Sequence, residues 1–304
     1  MNLIIKVFKR YARAYMVKRM LMKPVVFLVR QWYLFPFNRN KIFKKELRFI
    51  PSKIKIDVLI PVIEKDLEVL PHVVTGIRKN LKHPIGNINV IAPQSPKIIK
   101  SCKEHNCRFF DEDSVLPIKI KDVGYVVGGV NRSGWLFQTM LKWADQVCDS
   151  EYYYVTCADT VLIRPQVFLR KDKMVLLNSD SYYPPYYQVY KRLIGKSRNQ
   201  FATFTANQIF ISKTKLVELK RVIKNNTGLE WYRAILEKVD RSQGSGYSGY
   251  ETYGSWVAKN YPGEVVIEYW FNKSLGRDKL KSINSLMKKY SGKFKSLSFH
   301  SFNE

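Results

Sequence analysis

Residues 152–165 read YYYVTCADTVLIRP. A strand-like run ends on one carboxylate, Asp159, and a second apolar run stops at Arg164-Pro165. An ionised carboxylate at the end of a buried strand is partly dehydrated and needs a partner. A divalent cation is one solution, because Mg2+ and Mn2+ take carboxylate oxygens and keep positions open for phosphates. Capping of the turn, or pairing with Arg164, is another. The residues alone leave both open.

Other residues with chemical potential are set along the chain in the same manner. Lys65 and Asp66 follow DVLIPVIE, which ends at residue 64, and Arg132, Trp135, Gln138 and Lys142 punctuate VGGVNRSGWLFQTMLKW. Glu251 follows a Gly/Ser-rich stretch at 242–249, and His300 stands in SLSFHSFNE at the end of the sequence.

These residues need elements to hold them. KIKIDVLIPV predicts a strand at about 55–60, closed by Pro61. Leu67, Leu70, Val73, Val74, Ile77 and Leu81 then recur at helical spacing. NINVIAP predicts a second strand, and Ser95-Pro96 an N-cap with proline at the first helical position. CRFFDED predicts a third strand ending in acids, and Ser133 a cap for the helix carrying Trp135 and Trp143. Later strands are expected at 152–157, 174–178, 207–212 and 265–270, with helices between them. Strands alternating with helices at this spacing indicate βαβ units and a mostly parallel sheet. Ligands bind beyond the carboxyl ends of such strands. That rule selects Pro61 to Asp66, Ala92 to Ser95 and Asp111 to Asp113. Gly128-Gly129 lacks the spacing of a dinucleotide-binding turn.

The chain has 304 residues with 52 Lys+Arg against 25 Asp+Glu, a net charge of +27. Such a field attracts polyanions: nucleic acid, anionic lipid or phosphorylated small molecules. The excess sits at the two ends. Residues 1–50 carry thirteen Lys/Arg and one acid, and residues 273–295 carry eight and one. The first segment has no signal-peptide pattern, and its longest apolar piece is broken at Arg30 and Gln31. A spanning helix needs about 20 apolar residues. Residues 1–50 therefore read as a basic amphipathic helical arm lying on an anionic membrane, or else packed on the domain of residues 51–304 with a solvated charged face. Four cysteines with no CxxC pair and no histidine at ligand spacing give no zinc site and fit a reduced, cytoplasmic protein.

EYYYVTCADTVLIRP resembles the strand-DxD-turn of GT-A glycosyltransferases. More narrowly, the chain resembles a bacterial family of glycosyltransferase-like proteins found among cell-surface polysaccharide genes. The resemblance rests on Asp57 with Lys65-Asp66, then Gly134, Trp135 and Gln138, then Cys157-Ala158-Asp159-Thr160 with Arg164-Pro165, then Ser248-x-x-Glu251-x-Tyr253-Gly254, in that order. It implies an α/β, Rossmann-like GT-A fold and a metal-assisted transfer. The sugar would pass from a nucleotide-sugar donor to a glycolipid or lipid-linked saccharide in lipopolysaccharide or capsule synthesis, on the inner face of the plasma membrane.

By the same resemblance, Asp159 holds Mn2+ or Mg2+, and a distant histidine, here His300, joins it unless it is only a frayed tail residue. Pro61, Lys65, Asp66, Arg132, Trp135, Gln138, Lys142, Cys157 and Ala158 face the donor. Glu251 serves as base or acceptor contact, unless it is a plain first-turn glutamate stabilised by the helix dipole. The stretch 242–249 reads as a mobile lid, and the tyrosines at 182–190 as a sugar-stacking surface or as packing. Cys157 stands where the DxD motif has its first carboxylate, so the ribose contact expected there is without its acid.

Two rivals remain at this stage. One is a non-enzymatic basic nucleic-acid-binding protein, which the charge permits but no helix-turn-helix, zinc-finger or RRM pattern supports. The other is a degenerate GT-A fold that binds without turnover, which Cys157 keeps open.

Overall fold

The computed structural model describes residues 50–179, 181–198 and 202–301, together with residues 20, 24 and 28. The expected arm of residues 1–50 thus lies almost wholly outside the described residues. Thirteen strands are described: β1 (Ile56–Pro61), β2 (Ile85–Ala92), β3 (Arg108–Asp111), β4 (Val126–Val127), β5 (Val130–Asn131), β6 (Tyr152–Thr156), β7 (Thr160–Leu162), β8 (Leu169–Arg170), β9 (Lys173–Asn178), β10 (Gln208–Ser212), β11 (Val265–Tyr269), β12 (Asn272–Gly276) and β13 (Ser296–His300).

The main sheet has the order β10-β6-β1-β2-β3. β1 runs parallel to both β2 and β6, β2 parallel to β3, and β10 antiparallel to β6. The fold is α/β, with a mostly parallel sheet flanked by helices, as the spacing predicts. β1 is buried along its whole length, as a strand covered on both faces must be.

One carboxylate fixes the entry to this sheet. Asp57 is fully buried, and its Oδ1 accepts from the Asn87 N–H (2.7 Å). Its Oδ2 accepts from the N–H groups of Asp149 (2.6 Å) and Ser150 (2.9 Å). Asp57 thereby ties the starts of β1 and β2 to the turn leading into β6. Gly86 is required beside it, since a Cβ there would lie 2.3 Å from Asp57 Oδ1.

The helix Leu70–Asn80 buries Leu70, Val73, Val74 and Ile77, as its periodicity predicts. It begins later than expected, with Pro71 in its first turn and Leu67 in the turn before it. β3 ends at Asp111 rather than running on, because Asp111 caps a one-turn helix by accepting from Asp113 N–H (3.0 Å). Ser133 is not the cap of its helix. Arg132 takes that position, and Ser133 Oγ accepts instead from Tyr125 N–H at 2.9 Å.

A second layout had little sequence signal. β13 inserts between β12 and β7, parallel to the first and antiparallel to the second. Its residues Ser296 to Phe299 are buried, so this C-terminal segment is a sheet core. All four cysteines are free thiols. No helix among the described residues is long and apolar enough to cross a membrane.

Candidate active site

A cavity of about 850 Å³ opens where β1, β2, β3 and β6 end, at the carboxyl edge of the parallel sheet. β1 and the turn after it supply Pro61, Lys65 and Asp66, and the residues after β6 supply Cys157, Ala158 and Asp159. The helix Ser133–Leu141 and its two caps supply Arg132, Trp135, Gln138 and Lys142, and β13 supplies His300. The structure brings these residues to one cavity. Glu251 is not among its lining.

Asp159 and His300 meet because β13 pairs with β7, the strand that starts one residue after Asp159. The Phe299 N–H donates to the Asp159 carbonyl at 2.9 Å. The side chains follow, with His300 Nδ1 2.8 Å from Asp159 Oδ2. Asp159 Oδ1 accepts from Thr160 Oγ1 at 3.0 Å. Burial raises the Asp159 carboxyl, but the bond and charge of His300, the Thr160 hydroxyl and Arg277 outweigh it and leave the group below its ordinary value. It stays ionised.

The pair also suits a metal. Ligands about 2.1 Å from an octahedral Mg2+ lie about 3 Å from their neighbours, close to the 2.8 Å between these two atoms. Among the described residues no cluster of three or more His, Cys, Asp or Glu could cage an ion. Two protein donors with the remainder from substrate oxygens is the usual arrangement for such cations beside phosphates.

Arg277 holds this corner together, and its place in a Lys-rich segment concealed it from sequence reasoning. Its Nη2 donates to Asp66 Oδ1 (3.0 Å) and to the Phe299 carbonyl (3.2 Å). Its Nη1 donates to the Lys65 carbonyl, and its Nε faces Glu68 at 3.4 Å. One buried guanidinium thus ties the β1 exit to β13. Burial raises the Asp66 carboxyl, and the neighbouring Asp159 charge adds to this against the pull of Arg277.

The cations expected to face the donor differ in their engagements. Arg132 Nε donates to the Gly244 carbonyl (2.9 Å), and its guanidinium sits 5.2 Å over the Trp135 ring. Lys65 is exposed and reaches Ser301 Oγ at 3.4 Å. Lys142 is only 8% exposed. Its ammonium is 3.7 Å from Cys157 Sγ and 4.6 Å from the Tyr250 ring centre.

Glu251 is placed apart from the cavity lining. Its side chain is fully buried, and its oxygens accept from Arg198 Nη1, Ser255 Oγ (2.7 Å) and Phe204 N–H (2.9 Å). The whole Ser-x-x-Glu-x-Tyr-Gly element is a brace. Ser248 Oγ caps the helix Gly249–Asn260 by accepting from Glu251 N–H (3.2 Å), and Tyr253 Oη accepts from Ser212 N–H (2.9 Å). Gly254 lets Phe204 approach where a Cβ would lie 2.4 Å from its ring. What the brace positions is the segment before β10, whose Thr205 and Asn207 line the cavity.

The stretch 242–249, read as a lid, is tied at several points. Tyr125 Oη donates to the Gln243 carbonyl and accepts from Gly246 N–H (2.9 Å). Tyr183 Oη donates to Gln243 Oε1 (2.9 Å). Ser245, Tyr247 and Ser248 of this stretch line the cavity, as does Tyr186 of the tyrosine-rich segment. Glu112, just past β3, lines it too, and burial with Asp113 and Asp111 nearby pushes its carboxyl up to about 7.

The chain is thus an α/β protein with a polar, charged cavity at the carboxyl edge of its parallel strands. No family model and no curated protein matches it. Among the solved structures similar in fold are three of glycosyltransferases. Mouse xyloside xylosyltransferase 1, in its apo form, aligns with TM-score 0.43 and 11% identity over 83% of this chain and 99% of its own. An active-site mutant of LgtC aligns with TM-score 0.45 and 13% identity over 80% and 87%. The bifunctional glycosyltransferase WbbM aligns with TM-score 0.43 and 13% identity over 85% of this chain and 48% of its own.

Proposed function

We propose that this protein is a glycosyltransferase that moves a sugar from a nucleotide-sugar donor to a glycolipid or lipid-linked saccharide of a cell-surface polysaccharide. The observation that carries this reading is the meeting of Asp159 and His300 in the same cavity as Trp135, Gln138 and Lys65, which the chain supplies from four distant segments.

Asp159 and His300 would hold Mn2+ or Mg2+, which supplies charge neutralisation to a leaving diphosphate. The remaining work belongs to the chain. Trp135 offers an aromatic face for a ring, and Gln138 offers amide hydrogen bonds. Proton acceptance from the acceptor hydroxyl needs a carboxylate that reaches the cavity. Glu251 is engaged by Arg198, Ser255 and Phe204, and Glu112 is a cavity carboxyl raised to about 7. The basic arm of residues 1–50 and the lysines of 273–295 would hold the protein on an anionic membrane surface, where a lipid-linked acceptor is found. We place it on the cytoplasmic face.

The test is release of nucleoside diphosphate from a panel of nucleotide sugars, with membrane lipid extract as acceptor source and Mn2+ present. The reading predicts release that needs both one donor and the extract, and that D159A abolishes. A second reading, binding without turnover, follows from Cys157 in place of a carboxylate. It predicts donor binding with no release under any condition.

A further inference from the structure

Lys142 is a buried cation whose anion is missing. Its side chain is 8% exposed, it lines the cavity, and among the described residues its ammonium pairs with no carboxylate. Its contacts are the Cys157 sulfur at 3.7 Å and the face of the Tyr250 ring at 4.6 Å. A charge taken out of water without a counter-charge is costly, and such sites are completed by a ligand of opposite sign.

Cys157 explains why the cation is unpaired. A carboxylate there would fall within ion-pair reach of the ammonium and take it up. The cysteine leaves it directed at the cavity. The other cations of the site are engaged or exposed: Arg277 by Asp66 and two carbonyls, Arg132 by the Gly244 carbonyl, and Lys65 at the surface.

Resting on the glycosyltransferase reading, we infer that Lys142 is a direct phosphate-binding residue, freed for that role by the cysteine at position 157. Lys142 takes a phosphate oxygen of a diphosphate without an intervening metal ion, beside whatever Asp159 and His300 hold. The backbone supports this placement. Lys142 caps the carboxyl end of the helix Ser133–Leu141, where the free carbonyls favour a cation.

Inorganic pyrophosphate is the probe, titrated calorimetrically into the full chain in EDTA. The expected result is binding to wild type that weakens roughly 10- to 100-fold in K142M, as for loss of a charge-assisted hydrogen bond. C157D should weaken it comparably, because the new carboxylate captures the ammonium. K142R keeps the charge and should retain binding. Equal affinity in wild type, K142M and C157D would overturn the inference. So would the absence of metal-free pyrophosphate binding in wild type. Competition by UDP, GDP, CMP and ADP assigns the source. A nucleotide that displaces pyrophosphate places the site in the donor pocket and supports the inference. Nucleotide binding that leaves pyrophosphate in place overturns it while sparing the glycosyltransferase reading. Failure of that reading shows separately, as no response to any nucleotide with or without Mn2+.

Discussion

Single residues carry most of the site's chemistry, and their environments set their roles. Asp159 is kept ionised although half-buried, because His300 and Thr160 bond to it. Glu112 is the opposite case, with a carboxyl raised from its ordinary 4.5 to about 7, first by burial and then by Asp113 and Asp111. A carboxyl raised on folding stabilises the fold below its unfolded value, and that contribution is lost as the pH rises through the folded value. Between pH 4.5 and about 7, wild type should therefore lose stability relative to E112Q. Denaturant unfolding of both proteins across that window measures it, and a constant difference would count against a raised carboxyl. Many cavity residues were legible because they follow an apolar strand directly. Arg277 was not, since among the lysines of 273–295 nothing in the sequence distinguishes a cation that turns inward. The surroundings of Glu251 were not legible, because a first-turn glutamate looks the same as base or as brace. The partner that decides it, Arg198, is 53 positions away.

Elements are positioned by a few buried polar anchors. Removing one partner of a buried ion pair typically costs about 3–5 kcal/mol, so E251A should lower unfolding stability on that scale. A base at this position would instead lower turnover and leave the melting point unchanged, so thermal unfolding of E251A separates the two roles. At the sheet entry, G86A forces a Cβ to within 2.3 Å of Asp57 Oδ1. Overpacking of this kind costs about 1–3 kcal/mol, and a melting point equal to wild type would show that Asp57 yields easily. The βαβ portion was readable because parallel, doubly covered strands are near-continuous apolar runs. β13 was not, because SLSFH is short and its partners are β7 and β12, the former 138 residues away at Ser298–Thr160. Without that pairing His300 would be a tail residue.

At the scale of the whole molecule the charge of +27 does not divide as a residue count implies. Arg277 and Lys295, both in the basic 273–295 segment, turn inward, the first buried and the second largely covered, and pair with Asp66 and with Glu268. The exposed cations of that segment include Lys281, Lys288, Lys289 and Lys293. These face solvent with the helix Ile283–Tyr290. The full chain should bind vesicles containing anionic lipid and not neutral ones, and release as salt shortens the Debye length. Sedimentation with vesicles measures this. Equal binding to both vesicle types would remove the electrostatic account, and preference for duplex DNA at matched salt would favour the nucleic-acid rival.

The central claim is that the Asp159–His300 corner receives a nucleotide-sugar donor. Thermal stabilisation by UDP, GDP, CMP, ADP and the matching sugars, with and without Mn2+, tests it most directly on wild type and D159A. A ligand at about 100 times its Kd adds roughly 2.7 kcal/mol. The account predicts that one nucleotide stabilises wild type more strongly with Mn2+, and that D159A removes the Mn2+-dependent part. No nucleotide response in wild type, or an undiminished response in D159A, would contradict it.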